Sequence, residues 1–150
     1  MKKIYFSIFI FVLSNTVWSQ ETAVIQNDTI EEIIPITIIE EIPVFPGCED
    51  VERKERWDCF QLKLNEHIQK NLKYPKEAEK KGIVGRVTVI FVINKEGEIE
   101  NIVSRGPANG KILEDEARRI VSLLPKMTPG FQRGKPVKVR YALPFNFNLK

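Results

Sequence analysis

The C-terminal end of the chain alternates between apolar and other residues over a long stretch. Because successive side chains of a β-strand point to opposite faces of a sheet, the alternation predicts a long strand with one buried face. Pro144 lacks an N–H and cannot be hydrogen-bonded on both sides, so the strand lies at a sheet edge, at least locally. The apolar set is Val137, Val139, Tyr141, Leu143, Phe145, Phe147 and Leu149.

Two helices and a hairpin precede this strand. Apolar residues at four-residue intervals predict a helix over residues 58–72, with Asp58 as its cap. Alternation over residues 86–94 and 98–104, with Gly97 in the turn between them, predicts an antiparallel hairpin. The remaining predicted elements are a helical turn over residues 76–81 and a helix over residues 111–124.

The predicted order is therefore helix, strand, strand, helix, strand. A length of 150 residues favours one domain plus tails. We expect an α+β fold in which two helices pack on one face of a three-stranded antiparallel sheet.

Residues 1–19 have the pattern of a secretory signal peptide. Lys2 and Lys3 precede an apolar run over residues 4–13, and small residues near Ser19 suit cleavage. The alternative is an uncleaved anchor, although the run is about half of the ~20 residues that a membrane-spanning helix needs. Cleavage predicts a periplasmic protein, and retention predicts one anchored in the inner membrane.

Residues 20–47 are predicted to form an acidic tether that contains isoleucine and proline. Pro35, Pro43 and Pro46 prevent a continuous helix, while the isoleucines favour strand. Two alternatives remain open at this point: the segment docks as an extended strand, or it stays mobile.

Cys48 and Cys59 are the only cysteines. In an exported protein an even count predicts a disulfide, here closing a loop worth about 3 kcal/mol in the chain-entropy model. Two buried thiols are the alternative. His67 is the only histidine, so neither a metal site nor a thiol enzyme is favoured. We predict no cofactor and no enzymatic activity, and place the domain at residues 48–150.

The net charge of +3 conceals an asymmetry. Residues 20–58 carry 11 acidic and 3 basic side chains, whereas residues 59–150 carry 9 acidic and 18 basic ones. Export argues against nucleic acid as the partner of this basic half. Acidic peptides, anionic lipid head groups or the cell wall are better suited to it.

Short motifs along the chain resemble the TonB C-terminal domain. They are Tyr74-Pro75, Ala78, residues 82–87, Gly97, Pro125-Lys126, Pro129-Gly130, residues 134–137 and residues 141–147. Residues 44–49 resemble the lead-in found in such proteins from Bacteroidetes. The resemblance implies a periplasmic domain that binds a segment of an outer-membrane receptor by adding it as a strand, in energy-coupled transport.

The last strand corresponds to the peptide-binding edge of that family. The resemblance assigns partner binding to Val137, Lys138, Val139, Arg140, Tyr141, Ala142, Leu143 and Phe145. It also implies contact with inner-membrane motor proteins if residues 1–19 are retained, and it leaves open a homodimer formed by strand exchange.

The chain departs from the motor-coupled members in several ways. Residues 1–20 contain no histidine, the proline-rich spacer is absent, and Met127 stands where a tryptophan is expected. The alternative function is therefore a stand-alone envelope-binding or structural protein that keeps the fold without motor coupling.

Overall fold

The computed structural model describes residues 32–149, which form a mixed α+β domain. The strands are β1 (Ile33–Pro35), β2 (Gly85–Ile93), β3 (Ile99–Arg105), β4 (Gly130–Gln132) and β5 (Lys135–Phe147). The helices are α1 (Arg56–Asn71), α2 (Lys76–Lys80) and α3 (Lys111–Ser122), and a 3-10 turn (Arg53–Glu55) precedes α1.

The sheet has five strands and mixed direction. Its order is β1-β5-β2-β3, and β4 pairs with β5 off this path. β2 pairs antiparallel with both β3 and β5, as expected, but β1 runs parallel to β5. The prediction of two helices on a purely antiparallel, three-stranded sheet is thus wrong in the number of helices, the number of strands and the direction of β1. β1 and β4 have three residues each, which is too short for an alternation to show.

The predicted buried face of β5 is confirmed over residues 139–147, whereas Val137 is only half-buried and Leu149, which lies beyond the strand, is 39% exposed. Its odd-numbered side chains from Val139 to Phe147 are buried together with residues from all three helices. α1 contributes Phe60 and Leu64. The helices therefore pack on one face of the sheet and leave its other face uncovered by any helix within residues 32–149.

Helix and turn boundaries differ slightly from the prediction. α1 begins at Arg56, so Asp58 lies in its first turn and does not cap it. At this position the helix dipole stabilises the Asp58 carboxylate.

Gly97 has φ 84°, as the turn requires. A Cβ there would overlap the carbonyl oxygen of Met127, whose N–H donates to the Gly97 oxygen at 2.9 Å.

Residues 32–47 pack on the domain as extended chain, which is one of the two alternatives left open. Glu41 bridges to Phe131 and Val44 to Thr128, and Phe45 is buried in the core. The packed unit thus extends upstream of the domain start at residue 48. The predicted signal peptide and the first part of the tether lie outside the described residues. Within the described part of the chain, no helix has the length and apolarity to cross a membrane.

A disulfide joins Cys48 to Cys59, as predicted. It ties the end of the extended segment to α1, and the Cys48 side chain is buried. Neither thiol is therefore available as a nucleophile. The imidazole Nε2 of His67 lies 2.9 Å from the carbonyl oxygen of Ile120, which places it between the two long helices, α1 and α3.

The far end of α1 is fixed to α3 through Glu116. Its Oε1 accepts from the Lys73 N–H at 2.8 Å and from Arg119 at 2.7 Å, and Arg119 also donates to the Asn71 oxygen at 2.6 Å. Burial acts to raise the pKa of the Glu116 carboxyl, but the hydrogen bonds from Arg119 and Lys73 outweigh it and hold the pKa below its usual value.

Candidate functional site

The candidate site is the outer edge of β5, only part of which is covered. β1 pairs with residues 138–140, and the Ile36 N–H donates to the Arg140 oxygen at 3.0 Å. The chain then turns away, with the Ile38 N–H donating to the Pro35 oxygen. Within residues 32–149, no strand pairs with this side of β5 over residues 142–147. We call residues 142–147 the open edge.

The backbone groups of the open edge follow from strand geometry. Successive residues turn their N–H and C=O alternately to the two sides of a strand. Since Arg140 faces β1, Ala142, Pro144 and Asn146 face the same side. The edge therefore offers the N–H groups of Ala142 and Asn146 and three carbonyl oxygens, with no donor at Pro144. Such a row is a template for an added strand.

A groove of ≈590 Å³ runs along the start of the open edge. Residues from both faces of the sheet line this groove, because no strand covers the edge there. The N-terminal part of the chain supplies one wall, and β2 and β5 supply the other. The lining residues are Pro35, Ile36, Thr37, Trp57 and Gln61 on the first wall, and Ile90, Arg140, Tyr141, Ala142 and Pro144 on the second.

An aromatic cluster holds one wall of the groove in place. The ring of Trp57 stacks on Phe60 with centroids 5.9 Å apart, and meets Tyr141 edge-on at 6.4 Å. Trp57 remains 40% exposed, unlike its two partners. Gln61 Nε2 donates to the Tyr141 hydroxyl at 2.8 Å, so both polar groups are satisfied. The groove therefore has a preformed aromatic wall.

Positive charge flanks the open edge on the sheet face that no helix covers. Arg86, Arg105 and Arg140 are exposed there, and none of them makes an ion pair within the described chain. Lys138 on the same face pairs with Glu100 at 2.7 Å. Arg86 lies opposite Asn146 and Arg140 lines the groove, so two unpaired guanidinium groups flank the edge.

The first half of the sequence-predicted site is occupied by the chain itself. Val137 pairs with β4. Lys138, Val139 and Arg140 have β1 as a neighbour, and Val139 is fully buried. These residues would accept a further strand only if β1 left.

The second half of the predicted site reaches the open edge. Tyr141, Leu143 and Phe145 bury their side chains in the core, whereas Ala142 is exposed. Sequence reasoning missed Trp57 and the N-terminal wall. The available signal was a tryptophan on α1 outside the four-residue apolar stripe.

The described residues contain no group of three or more His, Cys, Asp and Glu side chains placed to hold a metal ion. The open edge and its groove present backbone hydrogen-bonding groups, an aromatic wall and exposed arginines.

Comparison with known proteins identifies the family of this domain. A family model described as Gram-negative bacterial TonB protein C-terminal matches residues 70–149, more than half of the chain. The chain belongs to the TonB C-terminal family. The match begins after most of α1, and we call residues 32–69 the N-terminal extension.

One solved structure to which the chain is similar is the NMR solution structure of the TonB C-terminal domain of Helicobacter pylori. The identity is 27%, over 68% of this chain and 87% of that one, with a TM-score of 0.46. The comparison with curated proteins finds no match.

Proposed function

We propose that this protein is a periplasmic, non-enzymatic member of the TonB family that binds a peptide of an outer-membrane receptor by strand addition, in energy-coupled transport. The observation that carries the proposal is the open edge of β5, where backbone donors and acceptors lack a strand partner in the described chain. Family membership supports the same role.

The proposal narrows the binding site to residues 142–147. Backbone hydrogen bonds supply affinity in strand addition, and alternate side chains supply specificity. A peptide that also used residues 138–140 would have to displace β1. We therefore expect a short segment that begins level with Ala142.

The second candidate function is a stand-alone envelope-binding or structural protein. The motive is in the sequence: residues 1–20 contain no histidine and no proline-rich spacer follows them. Coupling to inner-membrane motor proteins requires that residues 1–19 are retained, and a strand-exchanged homodimer would use the same edge. Motor coupling is therefore proposed only for a chain that keeps residues 1–19, and a homodimer only as one formed by strand exchange at the open edge.

The test is a titration of the ¹⁵N-labelled full chain with synthetic peptides from the periplasmic plugs of the host's outer-membrane receptors. Strand addition predicts amide shifts concentrated on residues 142–147. If no peptide at millimolar concentration shifts these amides, the receptor function is refuted and the stand-alone function is favoured.

Two variants at one position sharpen this test. Ala142→Pro removes an edge N–H, whereas Ala142→Ser keeps it with little change in size. We expect the first variant to weaken peptide binding about tenfold, since a lost backbone hydrogen bond costs roughly 1 kcal/mol or more. The second should bind as the unaltered chain does.

A further inference from the structure

We infer that the N-terminal extension forms a side-chain pocket at the open edge that selects a large apolar residue, best an aromatic one, in an extended peptide with acidic residues on its other face. The inference rests on the proposed strand addition. It adds the chemistry of the peptide and the residues that read it.

The position of the pocket follows from the path of β1. Ile34 and Ile36 point into the core, and Ile36 is the last residue of the segment beside β5 before the chain turns away. A strand added at Ala142 continues the line that this segment leaves. Because side chains alternate, its first helix-facing residue lies beside Ile36, Trp57 and Gln61.

The walls suit an aromatic side chain. Trp57 is held by Phe60 yet 40% exposed, so it has surface left to cover. Aromatic rings prefer stacked or edge-on contact with one another, and each buries ~150–250 Å². The ≈590 Å³ groove has room for one such ring beside the added backbone. The Gln61–Tyr141 hydrogen bond leaves that wall without an unsatisfied polar group.

The opposite face of the peptide meets positive charge. The outward side chains of the added peptide lie beside Ala142 and Pro144. Arg140 is at one end of this row, and Arg86, opposite Asn146, is at the other. Neither arginine has an ion-pair partner within residues 32–149. Acidic side chains at the outward positions are therefore favoured. A second copy of this sheet face would bring arginine against arginine, which disfavours that occupant.

The pocket depends on residues outside the matched family segment. Ile36, Trp57 and Gln61 belong to the extension, while residues 70–149 carry the family match. Within the extension, the Cys48–Cys59 disulfide ties the segment before α1 to α1 next to Phe60, and the Phe45 ring contacts Phe60 edge-on at 6.2 Å. The family match over residues 70–149 therefore does not by itself predict this selection by side chain.

The test compares two synthetic peptides that differ by Phe or Ala at the helix-facing position, against the full chain and its Trp57→Ala and Trp57→Phe variants. We expect the unaltered chain to prefer the Phe peptide at least about tenfold. Trp57→Ala should remove most of that preference, so that the variant binds the Phe and Ala peptides within about twofold of each other. Trp57→Phe should keep it. Equal losses for both peptides would overturn the pocket.

A second probe separates this inference from strand addition. N-acetylphenylalanine amide, with N-acetylalanine amide as control, has too little backbone to form a strand. If the phenylalanine amide shifts the Trp57 indole and Gln61 side-chain amide signals and the alanine amide does not, the aromatic pocket is present. Failure of every peptide to shift residues 142–147 then counts against strand addition and not against the pocket. Failure of both the amide and the Phe peptide to shift these side-chain signals refutes the pocket. Strand addition is then judged by the backbone amides alone.

Discussion

The Gln61 side chain donates a hydrogen bond to the Tyr141 hydroxyl at 2.8 Å, which joins α1 to β5 just where β1 ends. Tyr141 is only 8% exposed, so its hydroxyl would otherwise be nearly dry. We predict that Gln61→Leu lowers the free energy of unfolding by about 1–2 kcal/mol, because it leaves this hydroxyl unsatisfied. Urea denaturation measures the change.

The double variant Gln61→Leu with Tyr141→Phe is the control for that prediction. It removes both partners, so it should recover part of the loss. If the loss of stability in the double variant equals or exceeds the sum of the losses in the two single variants, the hydrogen bond is not the cause.

The disulfide predicts a large effect on stability. Replacing Cys48 and Cys59 together by alanine should cost about 3 kcal/mol, since the closed loop spans a sequence separation of 11. Thermal unfolding with and without a reductant checks this: the reductant should lower the melting temperature of the unaltered chain and leave that of the variant unchanged. A reductant effect of equal size in both would contradict the prediction.

β1 should behave as a displaceable cover of residues 138–140. Ile34 is 5% exposed, so Ile34→Asp places a charge against the core and should detach β1. We expect faster hydrogen exchange of the Ile36 amide, which bonds to Arg140, and peptide-induced shifts that spread to residues 138–140. Ile38→Asp is the matched control, because Ile38 is 70% exposed. Unchanged exchange in Ile34→Asp would show that β1 holds without its buried side chain.

Glu116 predicts loss of stability in acid. Its pKa is depressed in the folded state, so the unfolded chain binds more protons as the pH falls. The stabilisation is complete above the unfolded value of about 4.3 and is lost as the pH drops through the lower folded value. Glu116→Gln should flatten this part of the stability profile, measured by urea denaturation from neutral pH to about pH 2. A profile as steep as that of the unaltered chain would assign the acid response to other carboxyls.

Arg140 should contribute to peptide affinity through charge. Replacing it by glutamine is expected to weaken an acidic peptide about two- to fivefold at low salt, with the difference shrinking as salt rises. Arg118→Gln is a distant control on α3, where Asp115 already pairs with the arginine. Equal effects of both substitutions would indicate attraction by overall charge rather than by the edge.

The sequence predicted the parts of the fold that repeat a period over many residues. β5 shows five consecutive buried odd positions, and α1 and α3 show apolar stripes, so these elements and the edge position at Pro144 were accessible. β1 was not, because a strand of three residues is defined by the partner it meets and not by its own pattern. The pocket was not predicted for a related reason. Trp57 and Ala142 are far apart in the sequence, and the packing of α1 against β5 brings them to one groove.

Pro144 also affects the tendency of this protein to aggregate at high concentration. A long strand with an apolar face and an unpaired edge can pair edge to edge with other copies of the chain and form open-ended aggregates. The missing donor at Pro144 leaves any such stack short of a bond in the middle of its contact, in every layer. A short bound peptide lacks the Pro144 hydrogen bond once, whereas a growing fibre would lack it at each added copy. Pro144 therefore permits peptide binding and disfavours aggregation.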